Sequence, residues 1–394
     1  MQTIFEKAGS RPQSRTEHEL RFLPGVLSFL LLCLSLSLLT HCGEARADGI
    51  LLYSGGEPPR MLSEWGLFQQ PLADLQPVNR VIPYDLNTML FTDYASKFRT
   101  VWVPPGDQIQ YRQSEAFDFP EHSIISKTFF YPETDLVLKD KDQAYKNQRR
   151  LLETRLLIKG PDGWTTLPYV WNEEQTEATL RVAGATIPLE FRHANGEIQP
   201  IQYQVPDRNQ CTNCHMRQVD HESIPMPIGP KARHINRTYT YSDGTSANQI
   251  EYWKSQGILT GVPSDSSTIP RNAVWDDASS GSLDERARAY LDANCTHCHS
   301  PAGPARTSGL FLAPDVAKTA EWGVCKTPVA AGRGSGNLTY DIVPGNPDES
   351  ILVYRMLSND PGIMMPELGR TIVHREGVEL MRAWIRSLPG ECGN

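Results

Sequence analysis

Long apolar runs are scarce in this chain. Of its 394 residues, 39% are hydrophobic and 21% charged. Its one extended apolar stretch, residues 22–39, is broken by Pro24, Gly25 and three serines. A run of that length and makeup is barely enough to cross a bilayer, which excludes a membrane-spanning bundle. Positive charge is also in short supply: 38 basic against 46 acidic residues give a net charge of -8, arguing against a nucleic-acid partner. No internal repeat points to a solenoid. No activated nucleophile, phosphate-cradling loop or catalytic triad is recognisable; the glycine-rich Gly332-Arg333-Gly334-Ser335-Gly336 lies in a polar segment and lacks the setting of a nucleotide loop.

What is present begins with a leader. Lys7, Arg11, Arg15 and Arg21 precede the apolar stretch, and small and polar residues follow it, ending in Ala45-Arg46-Ala47. This is the pattern of a secretory signal peptide over residues 1–47, cleaved near Ala47, and it places the mature chain in the periplasm. The competing readings are an uncleaved anchor and lipidation at Cys42, where His41 stands in place of the usual small residue. Membrane contact is expected only if Cys42 carries a lipid.

Residues 48–205 read as a β-rich domain. Short alternating runs at 123–131, 152–158, 164–171, 178–182 and 187–191 are separated by Gly, Pro, Asp and Asn. In the second of these, Leu152, Leu156 and Ile158 fall on one face, with Glu153 and Arg155 on the other. Strands at such spacing predict an antiparallel sandwich or barrel. Beyond Val205-Pro206 the pattern changes to helices and Pro/Gly loops, with helices expected over 248–256, 349–357 and 375–388. Another starts at the capping box Ser282-Leu283-Asp284-Glu285 and runs into Cys295. The apolar stripe Val378, Met381, Trp384, Ile385 and Leu388 is expected to pack on that helix.

Two pentapeptides carry chemistry: Cys211-Thr212-Asn213-Cys214-His215 and Cys295-Thr296-His297-Cys298-His299. Each matches the attachment signature of c-type haem. Two thiols three positions apart on a helical turn can each add to one porphyrin vinyl group, and the following histidine then reaches the iron as proximal ligand. A zinc ribbon would set its cysteine pairs about 15–20 residues apart, whereas roughly 80 residues separate these, and zinc would not require the repeated histidine. A redox dithiol would favour a strand-to-helix setting in place of Pro206-Asp207-Arg208-Asn209-Gln210. The expected cofactors are therefore two covalent haem c groups, on Cys211 and Cys214 with His215 proximal, and on Cys295 and Cys298 with His299 proximal.

For the second haem, Met365 is the distal candidate, with Met364 as its neighbour and competitor. For the first, Met226 between Pro225 and Pro227 is chosen and His221 is the alternative; Met216 and His234 also lie downstream, and spacing singles out none of them. His297 reads as a variable position turned away from the iron. Cys325 and Cys392 are left either to pair in an oxidising compartment or to remain unrelated thiols.

Residues 283–388 resemble a class I cytochrome c domain. The likeness rests on the helix into the second motif, Ile342-Val343-Pro344-Gly345-Asn346-Pro347, Met364-Met365-Pro366 and a closing helix with Trp384-Ile385. Most of the chain is similar to a family of diheme c-type cytochromes whose physiological role is not established. That similarity is carried by Ile82-Pro83-Tyr84-Asp85-Leu86-Asn87, Leu90-Phe91-Thr92-Asp93-Tyr94-Ala95, Glu153-Thr154-Arg155-Leu156-Leu157, Tyr169-Val170-Trp171-Asn172 and Ile228-Gly229-Pro230-Lys231-Ala232-Arg233. The charged residues of these motifs read as turns and ion pairs rather than a binding cleft.

The resulting expectation is an α+β chain in which an N-terminal antiparallel, sandwich-like domain is followed by an all-α diheme cytochrome c region. Its first haem segment spans 206–282 and its cytochrome-like domain 283–394. The expected function is electron transfer with a redox partner, whose docking face would be basic. Two alternatives are a diheme oxidoreductase of peroxidase type and a redox relay fused to a β-rich recognition module with a groove lined by Trp164, Tyr169 or Trp171.

Overall fold

A computed structural model describes residues 45–138, 145, 147–316 and 320–393. The leader up to residue 44 and Cys42 lie outside them. The described chain opens with a small hairpin of β1 (Arg46–Ala47) and β2 (Ile50–Leu51). Its centre is a wholly antiparallel six-stranded sheet of β3 (Ile82–Tyr84), β4 (Ser96–Trp102), β6 (Ile124–Pro132), β7 (Arg149–Gly160), β8 (Gly163–Trp171) and β9 (Ala178–Leu180), paired in that order. Between them, β5 (Ile109–Gln110) stands apart from this sheet.

Alternation decides what each face buries. Trp102, Ile124, Leu156, Ile158, Leu167 and Tyr169 form one face and pack on Ile50, Leu62, Trp65 and Leu72 of the preceding chain. Val101, Ile125 and Leu157 point the other way and pack on Ala232, Ile235, Ile250 and Trp253. The expected set of Leu152 with Leu156 and Ile158 does not form. Phe129 pairs with Glu153 and Phe130 with Leu151, so Leu152 is the extra residue of a β-bulge. It joins Phe129, Tyr131 and Tyr203, while Leu151 takes the place beside Leu156.

The expected architecture is wrong in two respects. Among the described residues the N-terminal strands make one six-stranded sheet rather than two packed sheets; β10 (Ala185–Arg192) and β11 (Ile198–Val205) form a two-stranded hairpin whose Leu189, Phe191, Ile201 and Tyr203 pack with Phe129, Tyr131 and Leu152. Nor is an all-α cytochrome region evident after residue 205. Strands continue as β12 (Met216–Val219), β13 (Glu222–Pro225), β14 (Thr238–Thr240), β15 (Ser246–Asn248) and β16 (Leu259–Thr260), and β16 pairs in parallel with β5. Strands of two to four residues are too short to show a period, and only their turns mark them. Asp220 and His221, both at positive φ, close the β12–β13 hairpin.

The helices are short: α1 (Arg208–His215), α2 (Ala232–Ile235), α3 (Gln249–Ser255), α4 (Leu283–Asn294), α5 (Ile351–Leu357) and α6 (Arg375–Ser387). The Ser282 capping box starts α4 as its residues require. Ala287 and Leu291 of α4 share a cluster with Val378, Met381, Trp384 and Ile385 of α6. Loops, 3-10 turns and isolated bridges such as Val324 with Ile342 fill much of the chain between α4 and α6.

Cys325 and Cys392 are joined as a disulfide across 67 residues. Closing a loop of that size limits the unfolded chain, so Cys325→Ser with Cys392→Ser is expected to cost about 2–4 kcal/mol. Urea unfolding of both proteins without reductant measures it; coincident transitions would contradict it.

Candidate functional site

The first motif sits on α1. Asp207 accepts from the Gln210 main-chain N–H at 2.7 Å, and the Gln210 side chain returns to Asp207 N–H at 3.0 Å, a capping box that nucleates this short helix. Cys211 and Cys214 then lie about one turn apart, and His215 ends the helix. The His215 Nδ1–H donates to the Met226 carbonyl at 2.9 Å, and the Met226 N–H donates to the His215 carbonyl at 2.7 Å. These bonds fix the ring and leave Nε2 as its free nitrogen. Burial pushes His215 down to about 4, so the imidazole is neutral and able to ligate at ordinary pH.

The second motif begins at Cys295, the residue that caps α4. Burial pushes the Cys295 thiol up to about 12 and the His299 imidazole down to about 4. A cavity of about 430 Å³ opens beside Cys295, Cys298 and His299, within the roughly 300–1,000 Å³ usual for ligand pockets. Met365 lines it and Met364 does not; Phe91, Tyr290, Leu312 and Met356 supply apolar wall. Buried Arg370 donates to the carbonyls of Met365 (2.9 Å), Ser358 (2.8 Å) and Ile372 (3.2 Å), anchoring the loop that carries Met365. Asp93 accepts from the N–H groups of Thr371 at 2.7 Å and Ile372 at 3.0 Å, fixing the same loop from the sheet side.

The two motifs meet. Ligand atoms of Cys214, His297 and Cys298 all lie within 4.8 Å of one another, and the Cys298 thiol reaches the Asn213 carbonyl at 3.8 Å. A hydrogen bond from Cys298 pushes Cys214 down to about 4, against the effect of burial, with His297 adding to the fall. His297 is therefore no loose position: it is 6% exposed, lines the cavity, and its Nδ1 has no hydrogen-bond partner.

The candidates for a ligand to the first site are dispersed. His221 is exposed in the β12–β13 turn. His234 is buried and bonds Asp292 at 2.7 Å. Met216 caps α1 through its main chain, and the Met226 main chain stands at the His215 ring edge remote from Nε2.

The remaining motif residues are architectural. Asp85 pairs with Arg99 at 3.3 Å and Arg237 at 3.2 Å. Glu153 takes two bonds from Arg155 and one from the Tyr203 hydroxyl. Asn172 closes a turn by accepting from the Thr176 N–H at 2.9 Å. Tyr169 and Trp171 are buried, and Trp164 packs edge-on to Phe119, so these aromatics form core rather than a groove. Arg333 is exposed and pairs with Asp360 at 2.7 Å.

Sequence reasoning missed a cationic patch under the first motif. Lys97 pairs with Phe129, Arg99 with Lys127, and Lys127 with Arg155 across β4, β6 and β7, which puts all four cations on one sheet face. Burial, reinforced by Arg155 and Arg99, pushes Lys127 down to about 7. The alternation of Lys97 and Arg99 along β4 was the available signal.

No family model matches this chain, and neither a curated protein nor a solved structure matches it.

Proposed function

We propose that the chain is an exported diheme c-type cytochrome that transfers electrons in the periplasm. The observation that supports it is the cavity beside Cys295, Cys298 and His299, walled by apolar side chains and reached by Met365. That donor set fits a haem: two thiols for attachment, a neutral imidazole on one side and a thioether for the other. Cys211, Cys214 and His215 offer the same attaching and proximal set, with the His215 tautomer already fixed for ligation through Nε2. When bound, the haems supply reversible one-electron chemistry.

The protein's own contribution is positional. Arg370 and Asp93 hold the Met365 loop, Asn294 accepts from the Phe91 N–H at 2.8 Å, and the meeting of Cys214 with Cys298 keeps the two attachment points together. An acidic chain of this kind suits a redox partner with a basic docking face.

Met365→Ala is expected to leave covalent haem unchanged, abolish a methionine-to-iron charge-transfer band and lower the midpoint potential of one haem. Optical redox titration of both proteins reads this; an unchanged spectrum and potential would remove Met365 from the iron. A second reading, a diheme oxidoreductase of peroxidase type, draws on the dispersal of His221, His234 and Met226 around the first motif. It predicts a high-spin haem that binds carbon monoxide in the untreated reduced protein.

A further inference from the structure

Three cations surround one buried ring. The Lys97 Nζ lies 5.6 Å, the Lys127 Nζ 5.1 Å and the Arg155 Cζ 4.4 Å from the centroid of Phe129, which is itself fully buried. Cation–π attraction to one ring is worth little beside the mutual repulsion of three like charges in a partly desolvated site. Arg155 is neutralised by Glu153 at 2.5 Å, and Arg99 by Asp85. The lysines are not: among the described residues, neither has a carboxylate within ion-pair distance, and Lys97 donates only to the Ala95 carbonyl at 2.7 Å. Burial pushes both lysines toward the neutral amine; an anion between them would supply the counter-charge that neither finds in an ion pair and would hold both ammonium groups charged.

The patch also faces something. The helix α1, which carries Cys211, Cys214 and His215, packs on β8, whose Thr166 pairs with Leu157 and so lies on this same sheet face. From β8 under α1 to β6, which carries Lys127, is two strand spacings, about 10 Å, and to β4, which carries Lys97, three, about 14 Å. We infer that this face is an oxyanion-binding site, taking a carboxylate or a small inorganic oxyanion between Lys97 and Lys127 beside the first motif. Two sources share that chemistry. The carboxylates of a porphyrin held by Cys211 and Cys214 would be one, and this source rests on the diheme reading; a free oxyanion is the other and does not.

The test uses the full chain, exported in a host that attaches haem, beside Lys97→Met with Lys127→Met, which keeps the unbranched stems and removes both charges. The probes are inorganic phosphate and nitrite, read by calorimetry, together with haem content and midpoint potentials. A free-oxyanion site gives saturable binding that falls roughly ten- to hundredfold per ammonium removed. A site filled by porphyrin carboxylates gives no binding of either probe, unchanged haem content, and a lower potential for one haem in the double variant. Equal potentials and equal anion binding in a double variant that unfolds like the parent would overturn the inference. If the double variant does not fold, Lys127→Gln alone is read in the same way. Should no haem attach, the diheme reading fails, and phosphate binding to the parent still decides the anion site.

Discussion

Replacing Asp292 with asparagine is expected to lower the free energy of unfolding by about 3–5 kcal/mol, the cost of breaking a buried ion pair by removing one partner. The Asp292 side chain is fully buried and accepts from Arg233 at 2.6 and 2.8 Å, from His234 at 2.7 Å and from Asn272 at 2.8 Å. Asparagine leaves the nearly buried Arg233 guanidinium without a counter-charge. The network joins α2 to α4 three residues before Cys295, so the change also loosens the helix that presents the second motif.

Its pH dependence has a definite sign. Burial alone would push the Asp292 carboxyl up, but His234 and the Arg233 guanidinium outweigh it and hold it well below the usual carboxylate range. A folded value below the unfolded one contributes stability that is complete above about pH 4 and is lost as pH falls through the folded value. Urea unfolding from neutral to acid pH should therefore show a parent limb of falling stability that Asp292→Asn lacks. A loss under about 1 kcal/mol at neutral pH would reduce the network to the rank of a surface pair.

The second large effect is chemical. Cys295→Ala with Cys298→Ala is expected to halve the covalent haem per chain, and Cys211→Ala with Cys214→Ala to halve it independently. Thioether attachment needs the thiols, and each motif is complete in itself. Pyridine haemochrome assay of acid-acetone-washed protein measures both variants. Unchanged haem in either pair would show that its motif is not an attachment site. Loss of all haem from one pair would mean that the contact of Cys214 with Cys298 and His297 makes attachment at one motif depend on the other.

The parts of this chain legible in its sequence are those with a strong local cause. The capping box at Ser282, the stripe of α6 and the long strands β6, β7 and β8 follow from periods that span two turns or several alternations. The positions of the pentapeptides on α1 and at the end of α4 were legible in the same way, since each follows a capping box close by in sequence. What was not legible depends on partners distant in sequence. The bulge at Leu152 breaks an alternation that sequence alone would carry through, the hairpins after residue 205 are too short to have a period, and the parallel pairing of β16 with β5 joins segments far apart. These strands are why an all-α region was expected where none is evident. The cationic face escaped notice because it exists only once β4, β6 and β7 are in register, and His297 because its neighbour Cys214 is far up the chain.

The most direct test of the central claim is the number of covalent haems on the full chain, made in a host with c-type maturation and measured as pyridine haemochrome per mole of protein. The account predicts two. One haem or none would contradict it, and the cluster of Cys214, His297 and Cys298 would then have to be read as a site for zinc or for dithiol chemistry.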